Sequence, residues 1–326
     1  MSQNPAQIQG PPYPSRTAGV GGLPTISLDI PISSVLLAIY LFFALYNQIL
    51  FQLNRRRKHK FLFSWVLFGF CMCRVLTFIL RIVWATQPHN VQVAIAANIL
   101  VNAGILLLYI INYLFALRIL RARQPEVGWN RALHYFSVFF YWAMGISICL
   151  VISMVVVSSY TLKLDLLHAA RKILLAGLTI FTIFTALAPL ILATSLGLKP
   201  SPRAENFGKG DMRLKIIVCG LSCALALLIA GFRCGTSWES PRPRDNPAWY
   251  DNKAAFYCFE FVPEIMILVL FAVAEIHLRF HVPNGSSKAR SYKAVEGDEP
   301  MRLGSRESDV TAVGEEAEKD KEMEDV

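Results

Sequence analysis

Seven runs of mostly apolar residues limit the folds open to this chain. Each run has about twenty residues or more, which is the length that a helix needs to cross a bilayer. The runs cover residues 32–53, 61–84, 91–117, 133–157, 173–196, 214–232 and 254–280. Only 17% of the 326 residues are charged, against roughly a quarter in soluble domains. The sequence therefore predicts an all-α integral membrane protein, built as a bundle of seven transmembrane helices.

Basic residues are unevenly distributed between the two sets of loops. The side that includes loops 55–60, 118–131 and 197–215 holds fourteen Lys and Arg residues, and the opposite side holds eight. Because Lys and Arg accumulate in cytoplasmic loops, this asymmetry predicts that the N-terminus is outside and the C-terminus is cytoplasmic. Both the plasma membrane and an endomembrane fit this pattern.

The two ends of the chain differ in composition from the membrane domain, which is predicted over residues 32–281. Residues 1–31 are rich in Pro, Gly and Ser, and are predicted to form a disordered N-terminal tail. Residues 282–326 are predicted to form a disordered acidic tail, with twelve acidic and four basic residues from residue 295 onward. The formal net charge of +9 thus leaves about +17 on the rest of the chain. A basic membrane domain is expected to face anionic lipid, so the bilayer is the predicted partner and no nucleic acid is invoked.

Charged and polar residues also lie inside the apolar runs, where ionisable groups are costly and often functional. At ~1.5 Å per residue from the ends of their spans, Arg74 and Glu264 both lie about 15 Å deep, and Asn102 lies about 16 Å deep. Arg81 and Glu260 lie about 4–5 Å and 9 Å deep. The predicted intramembrane polar layer comprises Arg74, Arg81, Asn98, Asn102, Thr182, Glu260 and Glu264.

Two interpretations of this layer are open. In the first, the layer lines a cavity that binds a ligand or passes a polar head group. In the second, Arg74 and Glu264 form a buried ion pair that fixes the register of their helices, and no ligand enters. Removing either partner of such a pair would cost about 3–5 kcal/mol, because a buried charge would lose its counter-charge.

The cysteines and histidines indicate no catalytic or metal site. Five of the seven cysteines lie inside apolar runs, where cysteine behaves as a small hydrophobic residue. Cys234 and Cys258 lie near one membrane face, and a disulfide between them is an open alternative. The six histidines lie at helix ends or in loops, and no spacing is typical of zinc. We therefore expect no metal, no cofactor and no enzymatic activity.

Several sequence blocks along the membrane domain carry a family resemblance. They are FQLNRRR at 51–57, FGFCMCR at 68–74, LRIVWAT at 80–86, PAWY at 247–250 and RFHVPNG at 279–285. These blocks resemble one fungal family of multi-span membrane proteins, sometimes labelled family-C-like G-protein-coupled receptors. The layout is also similar, more distantly, to fungal lipid-translocating exporters. Neither resemblance implies a catalytic residue.

The expected function is receptor-like sensing of a ligand that the sequence does not identify. In that case the basic loops 118–131 and 197–215 are expected to bind a cytosolic signalling partner. The alternatives are a lipid or amphiphile translocator or tolerance factor, which would use the polar layer as a head-group path, and a structural membrane organiser without a ligand.

Overall fold

The computed structural model describes residues 10–15, 17–56, 61–282 and 292, and these contain seven helices that are long and apolar enough to cross a membrane. They are, from the first to the seventh span, Ile26–Arg56, Leu62–Thr86, Val91–Arg123, Arg131–Tyr160, Leu164–Gly197, Met212–Trp238 and Lys253–Val273. The predicted all-α bundle of seven spans is confirmed. We call the side where the first span begins the N-face and the opposite side the C-face. Which of them lies outside the cell stays a prediction.

The third span lies at the centre of the bundle. Its second half packs against the second, fifth and sixth spans, and its residues Leu108 and Phe115 are fully buried. The fourth span packs mainly against the fifth, and it leaves large apolar side chains such as Trp142 exposed. An apolar surface of this kind is suited to contact with lipid tails, and the core is thus displaced from the fourth span towards the third.

Two spans depart from a continuous α-helix. The third span consists of the helices Val91–Gly104 and Leu106–Arg123, which meet at a break at Ile105. The seventh span contains one π-helical turn, Tyr257–Phe261, followed by the α-helix Val262–Val273. Single π-helical turns are uncommon and often mark functional positions. Arg74 of the predicted layer bonds to the backbone just before the break, and Glu260 lies within the π-helical turn.

The N-terminal segment corrects one predicted boundary. The first helix begins at Ile26, so residues 26–31 belong to the bundle and not to a disordered tail. The preceding residues lie over the N-face: the backbone N–H of Tyr13 donates to Ser159 O at 2.7 Å, and that of Ala18 donates to Arg242 O at 2.9 Å. The helix starts early because the carboxylate of Asp29 finds buried partners and does not need water to solvate it.

The C-terminal end of the seventh span lies seven residues before the predicted one. Its last α-helix ends at Val273, because Glu275 adopts a left-handed conformation with φ 45° that interrupts the helix. A short helix, Ile276–Arg279, follows. Parts of three predicted segments lie outside the described residues: 1–9 and 16 of the N-terminal tail, 57–60 of the first basic loop, and 283–291 and 293–326 of the acidic tail.

Candidate functional site

Arg74 and Glu264 form the most deeply buried ion pair that the structure describes. Their two hydrogen bonds run from Arg74 Nε to Glu264 Oε2 at 2.7 Å and from Nη2 to Oε1 at 2.5 Å, and both side chains are 0% exposed. The hydroxyl of Tyr40 on the first span donates to Glu264 Oε2 at 2.8 Å. The pairing follows from the equal depth predicted for the two residues, and it links the first, second and seventh spans.

The guanidinium of Arg74 also bonds to the broken third span. Its Nη1 donates to the carbonyls of Leu100 at 3.2 Å and Val101 at 3.0 Å. The N–H of Ile105, at the break, points to Ala103 O, which leaves the Val101 carbonyl without its usual helical donor. Gly104 makes this approach possible, since a Cβ there would lie only 3.2 Å from Arg74 Nη1.

Glu260 pairs with Arg233 of the sixth span. Although Arg81 and Glu260 both lie in the N-face half of their spans, they are not partners: Arg233 Nη2 lies 2.9 Å from Glu260 Oε2. The same Nη2 donates to Val101 O at 3.1 Å, and Nη1 donates to Asn102 Oδ1 at 3.3 Å. Glu260 lies within the π-helical turn, which directs it to the sixth span although it is only four residues from Glu264.

Arg81 belongs to a separate cluster at the N-face. Its Nη2 lies 2.9 Å from Oδ1 of Asp29, and the hydroxyl of Tyr257 donates to the same oxygen at 2.8 Å. The other oxygen of Asp29 accepts from Lys253 Nζ at 2.5 Å and from the backbone N–H of Thr25 at 2.7 Å. The carboxylate therefore joins the start of the first span to the second and seventh spans.

Two members of the predicted layer do not join it. The side chain of Asn98 is exposed, and only its carbonyl takes part, by accepting from Asn102 Nδ2 at 2.8 Å. Thr182 donates to Leu178 O at 2.9 Å and to Ala230 O at 3.3 Å. A threonine in a helix readily bonds to the carbonyl four residues before it, and so needs no charged partner.

The disulfide left open for Cys234 and Cys258 is not formed. Both thiols are free. Cys234 lies 3.9 Å from Thr179 Oγ1 and so faces the fifth span, whereas Cys258 is exposed. A shared membrane level does not place two side chains on facing sides of their helices.

Asp29, Arg233, Tyr40, Lys253 and Tyr257 also belong to the charge network, and none of them was predicted from the sequence. Asp29 and Arg233 lie just outside the predicted runs 32–53 and 214–232, and so fell in a tail and in a loop. Arg233 lies one residue beyond the predicted end of the sixth span, so a slightly longer helix would have included it. Tyr40 gave no signal, because a tyrosine in an apolar run resembles any other aromatic residue.

The basic loops of the C-face are partly built into the fold. Arg118 Nη1 donates to Phe280 O, and its guanidinium lies 4.5 Å from the ring centroid of Phe63. Lys215 is buried and donates to Asn206 Oδ1 at 2.8 Å. The exposed cations of these two loops are Arg131, Lys199, Arg203, Lys209 and Arg213. These residues place positive charge on the surface of the C-face.

A crevice of about 660 Å³ opens at the N-face between the fourth, fifth and sixth spans. Pockets of ~300–1,000 Å³ are typical of small-molecule sites. Asn102 is the one member of the predicted layer that lines it, and the N-terminal segment forms part of its rim. Through Asn102 the crevice contacts Arg233, and through Arg233 it contacts Glu260 and the backbone of the third span.

Comparisons with family models, with curated proteins and with solved structures find no match to this chain. The family resemblance of its sequence blocks thus stays an expectation. What the geometry offers is a crevice whose floor touches one end of a buried charge network, without a cluster of three metal-ligating side chains among the described residues.

Proposed function

We propose that this protein is a receptor-like membrane protein, in which a ligand in the N-face crevice alters the arrangement of the C-face. One observation carries the proposal: Asn102 lines the crevice and accepts a hydrogen bond from Arg233, which also holds Glu260 and the Val101 carbonyl. A ligand that displaces the Asn102 side chain by contact would change the position of Arg233.

The broken third span is the element that would transmit this change. Arg74 and Arg233 both donate to Val101 O, just before the break at Ile105. Below the break, the helix Leu106–Arg123 reaches the C-face, where Arg118 bonds to Phe280 O. A shift at Val101 would therefore tilt the helix Leu106–Arg123 against the C-face loops. Coupling between the crevice and these loops requires that the helix has two discrete arrangements.

A translocator, the alternative function, fits this geometry less well. A head group crossing the bundle would have to separate Arg74 from Glu264, which are both fully buried. Each separated charge would then lack a partner in a medium of low dielectric, at a cost of several kcal/mol. The resemblance to a family labelled receptor-like favours the same choice. The exposed cations of the C-face loops are the surface we assign to a cytosolic partner.

The coupling can be tested by filling the crevice from within. Val155 lines the crevice, whereas the neighbouring Val156 faces away from it and is exposed. In nanodiscs, Val155→Trp is expected to change hydrogen–deuterium exchange in residues 106–123 and 198–211, and Val156→Trp is the matched control. Equal hydrogen–deuterium exchange in both variants and the wild type would contradict the receptor function.

A second experiment tests the translocator. Movement of labelled phospholipid by the pure protein in vesicles, slowed by Glu264→Gln, would favour that function.

A further inference from the structure

The lining of the crevice changes in chemistry from rim to floor. The rim is rich in hydroxyl groups, among them those of Tyr13, Ser15, Thr17, Thr161, Ser240 and Tyr250. Deeper in, the walls are aliphatic, with Val151 and Val155 from the fourth span and Leu174 and Leu178 from the fifth. Hydroxyls donate and accept hydrogen bonds, whereas aliphatic walls offer only apolar contact. A ligand that fits both parts has a polar end and an apolar end.

The formal charges that line the crevice balance. Arg171 and Arg242 contribute two positive charges, and Glu239 and Asp251 contribute two negative ones. Arg171 Nη2 donates to Glu239 O at 2.7 Å, and Asp251 is buried with its Oδ2 accepting from the N–H of Ala248 at 2.9 Å. Since neither sign is in excess, the rim favours a polar group without net charge over an anion or a cation.

The floor is closed by contact between the fourth and fifth spans. A Cβ added at Gly177 would lie 2.5 Å from Val151 Cγ2, so the Val151 side chain packs directly on the backbone of the fifth span at that level. Asn102 also lies at this end of the crevice, about 16 Å along the third span from its start at ~1.5 Å per residue. An aliphatic chain can therefore extend from the rim to a closed end, where its terminus would reach the Asn102 amide.

We propose that the crevice binds a single-chain amphiphile with an uncharged head group rich in hydroxyls. The head lies at the rim, among the serines and threonines, and the chain lies between the fourth and fifth spans. The ligand class rests on the proposed function, because it takes the crevice as the ligand site of the receptor. A ligand with this shape enters from the N-face leaflet of the bilayer or from the water beside it.

Photo-crosslinking in nanodiscs of phosphatidylcholine tests this assignment. The probe is a monoacylglycerol with a diazirine near the end of its chain. It is expected to label peptides of the fourth and fifth spans around Val151 and Leu178, and unlabelled monoacylglycerol is expected to compete. Val155→Trp is expected to weaken binding at least about tenfold, which corresponds to about 1.4 kcal/mol. Val156→Trp is expected to bind as the wild type does.

Three results would overturn the assignment. One is labelling of the lipid-facing surface alone, without competition in the wild type. Another is equal labelling of both tryptophan variants, each of which must first elute as a monodisperse folded protein. The third is stronger labelling by a fatty acid of the same chain and diazirine, which would assign an anionic head. A fourth result would separate the two proposals. If unlabelled monoacylglycerol competes with the probe but Val155→Trp leaves hydrogen–deuterium exchange at the C-face unchanged, the ligand class is kept and the receptor function is contradicted.

Discussion

The two buried arginine–carboxylate pairs on the second span differ in their access to water. Arg74 and Glu264 are both 0% exposed, and their further partners are the Tyr40 hydroxyl and two carbonyls of the third span. Arg81 and Asp29 lie at the N-face, where the partly exposed Lys253 shares the carboxylate. Arg81 and Asp29 are only 5% and 1% exposed, so water can approach the second cluster beside Lys253, whereas it does not reach the first. An arginine–carboxylate pair should therefore contribute less to the free energy of unfolding at the N-face than at the centre of the bundle.

The largest effect is expected from Glu264→Gln. This change keeps the shape and an acceptor for Tyr40, but it leaves the Arg74 charge uncompensated in a site that water does not reach. We expect a loss of about 3–5 kcal/mol in the free energy of unfolding, measured by steric trapping in bicelles. Arg74→Met combined with Glu264→Met should recover most of this loss, since neither charge then remains. A double variant that is as unstable as the worse single one would show that the two residues are not energetic partners.

A smaller loss is expected from Glu260→Gln, because its partner Arg233 keeps its bonds to Val101 O and Asn102 Oδ1. Loss of a hydrogen bond between charged groups costs about 1.5–3 kcal/mol. The same unfolding measurement checks the value, and the effect of Glu264→Gln in the same bicelles is the internal reference. If Glu260→Gln lowered the free energy of unfolding more than Glu264→Gln does, the Arg74–Glu264 pair would not be the more deeply buried of the two.

Gly104→Ala tests the approach of Arg74 to the third span. The new Cβ would lie 3.1 Å from Cys73 Sγ and 3.2 Å from Arg74 Nη1, and the bonds of that guanidinium leave it little room to move. We expect a loss of about 1–2 kcal/mol, in the lower part of the range for overpacking. Gly145→Ala is the control, since a Cβ there meets nothing within 4 Å. Equal stability of both variants would mean that the close approach is not needed.

The central pair was predictable from sequence, whereas its surroundings were not. Arg74 and Glu264 lie well inside apolar runs of opposite direction, so counting residues from the run ends placed them at one depth. Asp29 and Arg233 were not predicted because they lie just outside the apolar runs, although buried partners let both helices continue past those runs. A charged residue at the end of an apolar run is thus poor evidence for the end of the helix.

The π-helical turn and the break at Ile105 left no clear pattern in the sequence. Gly104 and Pro263 lie beside them, but either residue is also tolerated in a continuous membrane helix. The turn decides that Glu260 contacts Arg233 and not Arg81. The crevice was unpredictable for a related reason: it exists because the fourth and fifth spans touch at Val151 and Gly177 and leave space nearer the N-face, and tertiary packing alone sets that distance.

The smallest effect is expected from Lys253→Met, at the N-face end of the comparison. Lys253 is 21% exposed, and Asp29 keeps its bonds from Arg81, Tyr257 and the Thr25 N–H without it. An ion pair that solvent can reach contributes about 0–1 kcal/mol, and Met retains the apolar stem of the side chain. Lys172→Met, at an exposed position of the fifth span, is the matched control in the same unfolding assay. A loss as large as that of Glu264→Gln would mean that water does not reach the Asp29 cluster, and that burial does not separate the two pairs.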